Sequence, residues 1–124
     1  MANLFDKIGG DTLRLVLEDF YDRVLADDMI GFLFKNLNRE RLVQKEWELT
    51  ARMLGADIRY TGKPLGEAHA RHRILGGQFA RRQKLLEEVL VAHNIDAEVQ
   101  RFWLDHTAKL RSQITRDDPT ECND

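Results

Sequence analysis

Two charged residues interrupt an apolar helical face near the middle of the chain. At about 100° per residue, Leu42, Glu46, Leu49 and Met53 share a narrow arc, and Lys45 lies at its edge. Burying an unpaired charge is costly, so such residues pair with each other, reach water along their stems or contact a ligand. The pattern therefore indicates either a salt-bridged pair that reaches solvent or a helix that lines a ligand cavity.

Histidine is the second residue type here that could bind a metal. His69 is placed among apolar residues on one face of a short predicted helix, and His72 follows one turn later. A structural zinc site needs about four ligands, and no cysteine or further histidine lies nearby in the sequence. The pattern favours hydrogen-bonded core histidines over zinc. His106, on a later apolar stripe, is predicted to be a core residue, and His93 is predicted to be exposed in a loop.

The elements that position these residues are helices. Helical periodicity runs from near the start of the chain to about residue 115, and no alternating strand pattern persists beyond a few positions. The clearest stripe, in a helix that begins near Asp11 or Thr12, contains Leu13, Val16, Leu17, Phe20, Tyr21, Val24 and Leu25. Further helices are predicted from Asn38 to Leu54, from Gln78 to Ala92 and from Asp96 to Ile114, with Asn38 or Asn36 as the cap of the first. The predicted fold class is all-α.

Length and composition limit the class of protein. A chain of 124 residues fits one domain of about 100–150 residues, and a hydrophobic fraction of 43% excludes a disordered chain. A net charge of −2 offers no basic field for nucleic acid, and no apolar stretch approaches the about 20 residues that span a bilayer. Cys122 has no cysteine partner. We expect a cytoplasmic monomer, with one domain over residues 1–115, a polar tail over residues 116–124, and no nucleic-acid or membrane partner.

Motifs of several enzyme classes are missing from the sequence. There is no Ser/His/Asp or Cys/His signature, no Gly-rich phosphate loop after a strand and no HExxH metal motif. Most carboxylates are expected on solvated helix faces. The arginine pairs Arg81–Arg82 and Arg71–Arg73 are expected to be surface charge, although the second pair could meet a bound anionic group. The sequence therefore predicts no catalytic residues of these kinds.

Several segments, taken together, resemble the truncated hemoglobins, the short two-over-two helical globins, and most closely their first group. The segments are residues 4–10 and 19–28, Phe34, residues 60–64, and Ala68-His69 with Ile74 and Phe79. The resemblance covers about residues 3 to 114. It implies a globin-like, truncated two-over-two helical sandwich with heme b, iron protoporphyrin IX, between the helix of Lys45 and the segment of His69.

The resemblance also implies roles for residues around the heme. His69 corresponds to the proximal histidine bonded to iron, and Phe34 to the phenylalanine that packs against the heme. Tyr21 corresponds to the distal tyrosine, whose hydroxyl donates a hydrogen bond to dioxygen; the alternative is a core tyrosine bonded elsewhere. The other implied heme contacts are Leu42, Lys45, Glu46, Leu49, Ile74, Phe79, Leu86 and Leu90, with Arg71, His72 and Arg73 near the propionates.

Two distal residues depart from the commonest family pattern. Glu46 stands where many relatives have a glutamine, and a carboxylate cannot donate a hydrogen bond unless it is protonated. Lys45 stands where some cyanobacterial and algal relatives place a histidine or lysine that ligates iron. Its neutral amine is therefore a candidate distal iron ligand, favoured as pH rises. The alternative is a surface Lys45 paired with Glu48 or Glu46.

The resemblance implies reversible binding of dioxygen, nitric oxide and carbon monoxide. It extends to a nitric oxide dioxygenase-like detoxification that produces nitrate, for which a separate reductase would be required. A Lys45 bonded to iron would favour a redox or electron-transfer role instead. The alternative of another class is a cofactor-free helical interaction module, which would leave the charged face of Lys45 and Glu46 without a purpose.

Overall fold

The computed structural model describes residues 3–59, 61 and 76–109. Its helices are α1 (Leu4–Ile8), α2 (Gly10–Ala26), α3 (Arg39–Met53), α4 (Gly76–Ala92) and α5 (Ala97–Lys109), with a 3-10 helix at Gly31–Phe34. Within these ranges there is no strand, and no helix is both long enough and apolar enough to cross a membrane. The predicted all-α class is confirmed.

Helix α2 lies at the centre of the packing. It contacts α1, α3 and α4, while α5 packs against α4 and α1. The helices thus form two pairs, α2 with α3 and α4 with α5, that meet where α2 contacts α4. The predicted stripe of α2 is buried from Leu13 to Val24, whereas Leu25 is only partly buried. The buried residues of this stripe belong to the main core cluster.

Local capping sets the ends of α2 and α3. Gly9 has a φ of +83°, which favours glycine, so α2 begins at Gly10 rather than at the predicted Asp11 or Thr12. The Asn38 side chain accepts a hydrogen bond from the Arg41 N–H at 3.0 Å, so Asn38 rather than Asn36 caps α3. The helix ends at Met53, one residue before the predicted end.

The turn after α2 directs the 3-10 helix back against α2. Asp27 Oδ1 accepts hydrogen bonds from the N–H groups of Met29 and Ile30, at 2.9 and 3.2 Å. Gly31 packs so closely under the end of α2 that a Cβ there would lie 2.7 Å from the Leu25 carbonyl oxygen. This close approach brings the following residues, including Phe34, back towards α2.

The second helix pair departs from the sequence prediction in two places. Helix α4 begins at Gly76, two residues before the predicted Gln78. The expectation that His106 is a core residue is wrong: it is exposed and its ring stacks on Phe102, which is itself 43% exposed. The buried residues of α5 are Val99, Trp103 and Thr107, spaced four apart, so residues 102 and 106 fall on a neighbouring, outer face.

His93 is not left in solvent as the sequence predicts. It is partly buried, and its Nε2 lies 2.9 Å from Asp19 Oδ2 on α2. The partner is distant in sequence, so the loop position alone could not indicate this contact. The predicted short helix of His69, the end of the last helix at Ile114 and the tail over residues 116–124 lie outside the described residues.

Candidate functional site

Helix α3 carries two neighbouring stripes that differ in burial. Val43, Thr50 and Ala51 are buried against the core. The second stripe, which we call the open stripe, consists of Leu42, Lys45, Glu46, Leu49 and Met53, and all of its members are only partly buried. It coincides with the arc predicted from the sequence. Apolar side chains left half open beside polar ones are typical of a surface that a bound group covers.

Glu46 is the centre of a polar cluster at the edge of the open stripe. Its Oε1 accepts hydrogen bonds from the Tyr21 hydroxyl and from Arg82 Nη2, each at 3.1 Å. Its Oε2 accepts from the Thr50 hydroxyl at 3.3 Å. The donors come from α2, α4 and α3 in turn, so one carboxylate links three helices. Glu46 and Lys45 do not pair with each other in these contacts.

Arg82 is expected from the sequence to be surface charge, and this prediction is wrong. Its side chain is 13% exposed, it forms a salt bridge with Glu46, and its guanidinium lies 5.0 Å from the centre of the Phe20 ring. The spacing in the sequence does indicate burial, because Arg82 lies three residues after Phe79 and four before Leu86, on the buried stripe of α4. Its neighbour Arg81 is also paired, with Asp27 Oδ2 at 2.7 Å.

Tyr21 is buried and contacts two other aromatic rings. Its side chain is 5% exposed, and its ring meets those of Phe20 and Phe34 edge to face, with centroids 5.2 and 6.3 Å away. Burial raises the pKa of the phenol well above its usual range, Glu46 raises it further, and Arg82 acts in the opposite direction. The hydroxyl therefore keeps its proton and serves as a hydrogen-bond donor.

Lys45 reaches the chain that follows α3. Its ammonium donates a hydrogen bond to the Thr61 hydroxyl, which donates in turn to Glu48 Oε1 at 2.9 Å. Glu48 also accepts from the Thr61 N–H and from Gln44 Nε2, each at 2.8 Å. Burial alone would raise the pKa of Glu48, but these hydrogen bonds outweigh burial and hold it below its usual range. We call this group of hydrogen-bonded residues the Thr61–Glu48 cluster.

The predicted site residues fall into three groups. Tyr21, Phe34, Leu42, Lys45, Glu46 and Leu49 lie on or beside the open stripe. Phe79, Leu86 and Leu90 are buried, the last two within the main core cluster. His69, Arg71, His72, Arg73 and Ile74 lie outside the described residues. Of the predicted site residues, the structure thus brings together those of α2 and α3 with Phe34.

Comparison with known proteins gives consistent matches in sequence and in fold. The family model for bacterial-like globins matches residues 3–116. The group 1 truncated hemoglobin of Mycolicibacterium paratuberculosis is 34% identical over 114 residues, covering 91% of this chain and 84% of that protein. The group 1 truncated hemoglobin of Tetrahymena thermophila is 30% identical over 111 residues, covering 86% and 91%.

Solved structures of truncated hemoglobins share the fold. The Fe(III) form from Tetrahymena pyriformis superposes with a TM-score of 0.78 at 22% identity, covering 92% of this chain and 98% of that one. The 2/2 hemoglobin from a Synechococcus species, in the cyanomet state with covalently attached heme, gives a TM-score of 0.85 at 21% identity, covering 91% and 98%. The two-over-two globin architecture is confirmed.

The chain belongs to the bacterial-like globin family, among its group 1 truncated hemoglobins. Its cofactor is heme b, and globins of this kind bind diatomic gases. The described residues fit such a group, because Leu42 and Leu49 offer half-covered apolar surface and the buried Tyr21 hydroxyl offers a donor beside it. Family membership favours the heme protein over the cofactor-free helical module.

Proposed function

We propose that this truncated hemoglobin binds dioxygen reversibly and uses it to convert nitric oxide to nitrate. The observation that carries the proposal is the Tyr21 hydroxyl, which is buried, protonated and fixed beside the open stripe. A hydrogen-bond donor in a water-poor site stabilises a ligand on which partial negative charge accumulates. Dioxygen at ferrous iron is such a ligand, and carbon monoxide is much less so.

The residues proposed to hold the heme come from both sides of the group. On the distal side we assign Phe34, Leu42 and Leu49, which are partly buried and beside Tyr21 or on its facing helix, with Phe79 and Leu86 as deeper walls. The resemblance to the family supports His69 as the axial ligand and Ile74 as an apolar contact. It also supports Arg71, His72 and Arg73 as partners of the propionates.

The chain's own residues orient the reactants rather than react with them. When bound, heme b would supply the one electron that the combination of nitric oxide with dioxygen to nitrate requires. Tyr21 donates its hydroxyl hydrogen to dioxygen, and Leu42 and Leu49 exclude water from the same space. A separate reductase is proposed to return the electron after each turnover.

Lys45 is proposed as the distal iron ligand when no gas is bound. It lies three residues after Leu42 and four before Leu49, so the three side chains are neighbours on the open stripe. Its ammonium donates a hydrogen bond to Thr61 of the Thr61–Glu48 cluster. Binding to iron would require the ammonium to leave Thr61 and lose a proton. A gas and Lys45 would then compete for the same ligand position at iron. A Lys45 that stays bonded to Thr61 would leave that position open.

Nitrate formation tests the reaction. Heme-loaded ferrous protein is saturated with dioxygen and mixed with equimolar nitric oxide. We expect stoichiometric nitrate and a ferric absorption spectrum. Tyr21→Phe is expected to lose dioxygen sooner and yield less nitrate, whereas Phe102→Leu, on the outer face of α5, serves as the control. A native protein that binds carbon monoxide yet forms no nitrate would contradict the reaction.

Hemin titration tests the axial ligand. Native protein is expected to take up heme stoichiometrically with an intense Soret band, and His69→Ala is expected to lose the spectrum of histidine-bound iron. His106→Ala is the matched control, because His106 is an exposed histidine on α5. Identical spectra for native protein and His69→Ala would remove His69 from the iron.

A further inference from the structure

A charge-compensated pair lies beside the proposed ligand site. Arg82 Nη2 is 3.1 Å from Glu46 Oε1, and the two side chains are only 13% and 22% exposed. Charges in so sheltered a position are screened much less than charges at the surface. Removing either partner therefore leaves a full unpaired charge next to Tyr21.

Arg82 is fixed by a second contact that is independent of Glu46. Its guanidinium lies 5.0 Å from the centre of the Phe20 ring, in the range of a cation–π interaction. Phe20 in turn packs edge to face against Tyr21. The positive charge is thus tied to the same part of α2 that carries the proposed ligand-binding hydroxyl.

Arg82 and Tyr21 share a single acceptor atom. Both donate to Glu46 Oε1, each over 3.1 Å. While Arg82 holds Glu46 Oε1 in place, this oxygen accepts the hydroxyl hydrogen of Tyr21. An incoming ligand must therefore compete with Glu46 Oε1 for that hydrogen. Arg82 determines the position of this oxygen.

We propose that Arg82 is a positioning residue that sets the ligand preference of the site, by cancelling the charge of Glu46 and fixing its Oε1 opposite the Tyr21 hydroxyl. The inference rests on the proposed function in one respect, the placement of Tyr21 beside the ligand. Without Arg82, the Glu46 carboxylate repels anionic ligands. Without Glu46, the Arg82 guanidinium attracts them, while neutral carbon monoxide responds weakly to either change.

Azide binding to the ferric heme-loaded protein tests the proposal at one fixed neutral pH. Arg82→Met is expected to weaken azide affinity by roughly tenfold, and Glu46→Gln to strengthen it by a similar factor, as for one unit charge several ångströms away. The double variant is expected to return close to the native affinity. Carbon monoxide affinity of the ferrous proteins is expected to change by less than about threefold.

Two further measurements separate positioning from a merely structural role. Arg82→Lys keeps the charge, so it is expected to restore most of the azide affinity that Arg82→Met loses. The C–O stretching frequency of the carbon monoxide complex responds to the local electric field and is expected to move in opposite directions in Arg82→Met and Glu46→Gln. A loss of packing alone would not produce shifts of opposite sign.

The outcomes distinguish this inference from the proposed function. Unchanged azide affinity in both single variants, with normal carbon monoxide binding, would overturn the role of Arg82 and leave the proposed function intact. A native protein that binds no carbon monoxide would overturn the proposed function itself. If Arg82→Met does not fold, the double variant decides: its azide affinity is expected to lie roughly tenfold below that of Glu46→Gln, and equal affinities of these two variants would overturn the role of Arg82.

Discussion

Tyr21 on α2 and Glu46 on α3 are joined by a hydrogen bond of 3.1 Å from the hydroxyl to Oε1. A ligand that binds beside Tyr21 must draw this hydrogen away from a carboxylate, which is a strong acceptor. Under the proposed function, retention of dioxygen depends on the difference in free energy between the hydrogen bond of Tyr21 to the ligand and its hydrogen bond to Glu46. A glutamine at the same position would both accept from Tyr21 and donate to the ligand. The Glu46 carboxylate only accepts, so it competes with the ligand for the Tyr21 hydrogen without donating one itself.

Replacing Lys45 tests its proposed bond to iron. In Lys45→Ala we expect the ferric and ferrous spectra without added ligand to change from six-coordinate low-spin to high-spin forms, because the distal amine is gone. The measurement is an optical comparison of the two heme-loaded proteins. Lys35→Ala removes an exposed lysine outside α3 and is expected to leave the spectra unchanged. Unaltered spectra in Lys45→Ala would place Lys45 outside the coordination sphere.

Gly31 is expected to tolerate no side chain. A Cβ there would meet the Leu25 carbonyl oxygen at 2.7 Å, and backbone cannot move aside as a side chain can. Gly31→Ala should lower the free energy of unfolding by about 1–3 kcal/mol, measured by urea denaturation. Gly77→Ala is the control, since its nearest contact is the Met29 methyl at 3.7 Å. Equal stability of the two variants would contradict the close approach.

The cap of α3 is expected to contribute to the stability of the site helix. Asn38→Ala removes the acceptor of the Arg41 N–H and should lower the free energy of unfolding by about 1 kcal/mol. Asn36→Ala, two residues earlier, is expected to change it by less than about 0.5 kcal/mol. Urea unfolding of both variants would measure this difference, and a larger loss in Asn36→Ala would reverse the assignment of the cap.

The Asp27 carboxylate predicts a pH dependence of stability. Burial raises its pKa, but hydrogen bonds from Arg81 and from the Met29 N–H outweigh burial and hold the pKa below its usual range. A pKa lowered by folding contributes stability above the unfolded-state pKa, and this contribution is lost as pH falls through the folded-state value. Asp27→Asn should thus be less stable than native protein by about 1 kcal/mol near neutral pH.

Urea unfolding as a function of pH measures this contribution. The difference between native protein and Asp27→Asn is expected to shrink below about pH 4, where the native carboxylate takes up a proton. Asp28→Asn, at the exposed neighbouring position, should show little difference at any pH. A difference between native protein and Asp27→Asn that stays constant down to about pH 3 would contradict the ion pair.

The helices and their buried faces could be predicted because their signal is local. The spacing of Leu13, Val16 and Phe20 identifies the core face of α2, and the arc that contains Leu42 and Leu49 identifies the open stripe of α3. Both patterns depend only on the helical repeat. The start of α2 differs from the prediction because it depends on the backbone conformation of Gly9, which a propensity for caps does not reveal.

The pairing of charges could not be predicted because it depends on the approach of distant helices. Glu46 and Arg82 lie on α3 and α4, and the sequence gives no distance between them. Lys45 has a choice of carboxylates nearby in sequence, yet it donates to Thr61. His106 is misassigned for a simpler reason, since a shift of one residue along a helix turns a side chain by about 100° from the buried face.

Dissociation of dioxygen from the ferrous heme-loaded protein tests whether the Tyr21 hydroxyl holds the ligand. We expect Tyr21→Phe to release dioxygen several times faster than native protein, with an upper limit of about 1.5–3 kcal/mol set by a full hydrogen bond to a charged partner, because the native hydroxyl must first leave Glu46. Carbon monoxide dissociation should change far less. A dioxygen dissociation rate in Tyr21→Phe equal to that of native protein would show that the hydroxyl does not hold the ligand.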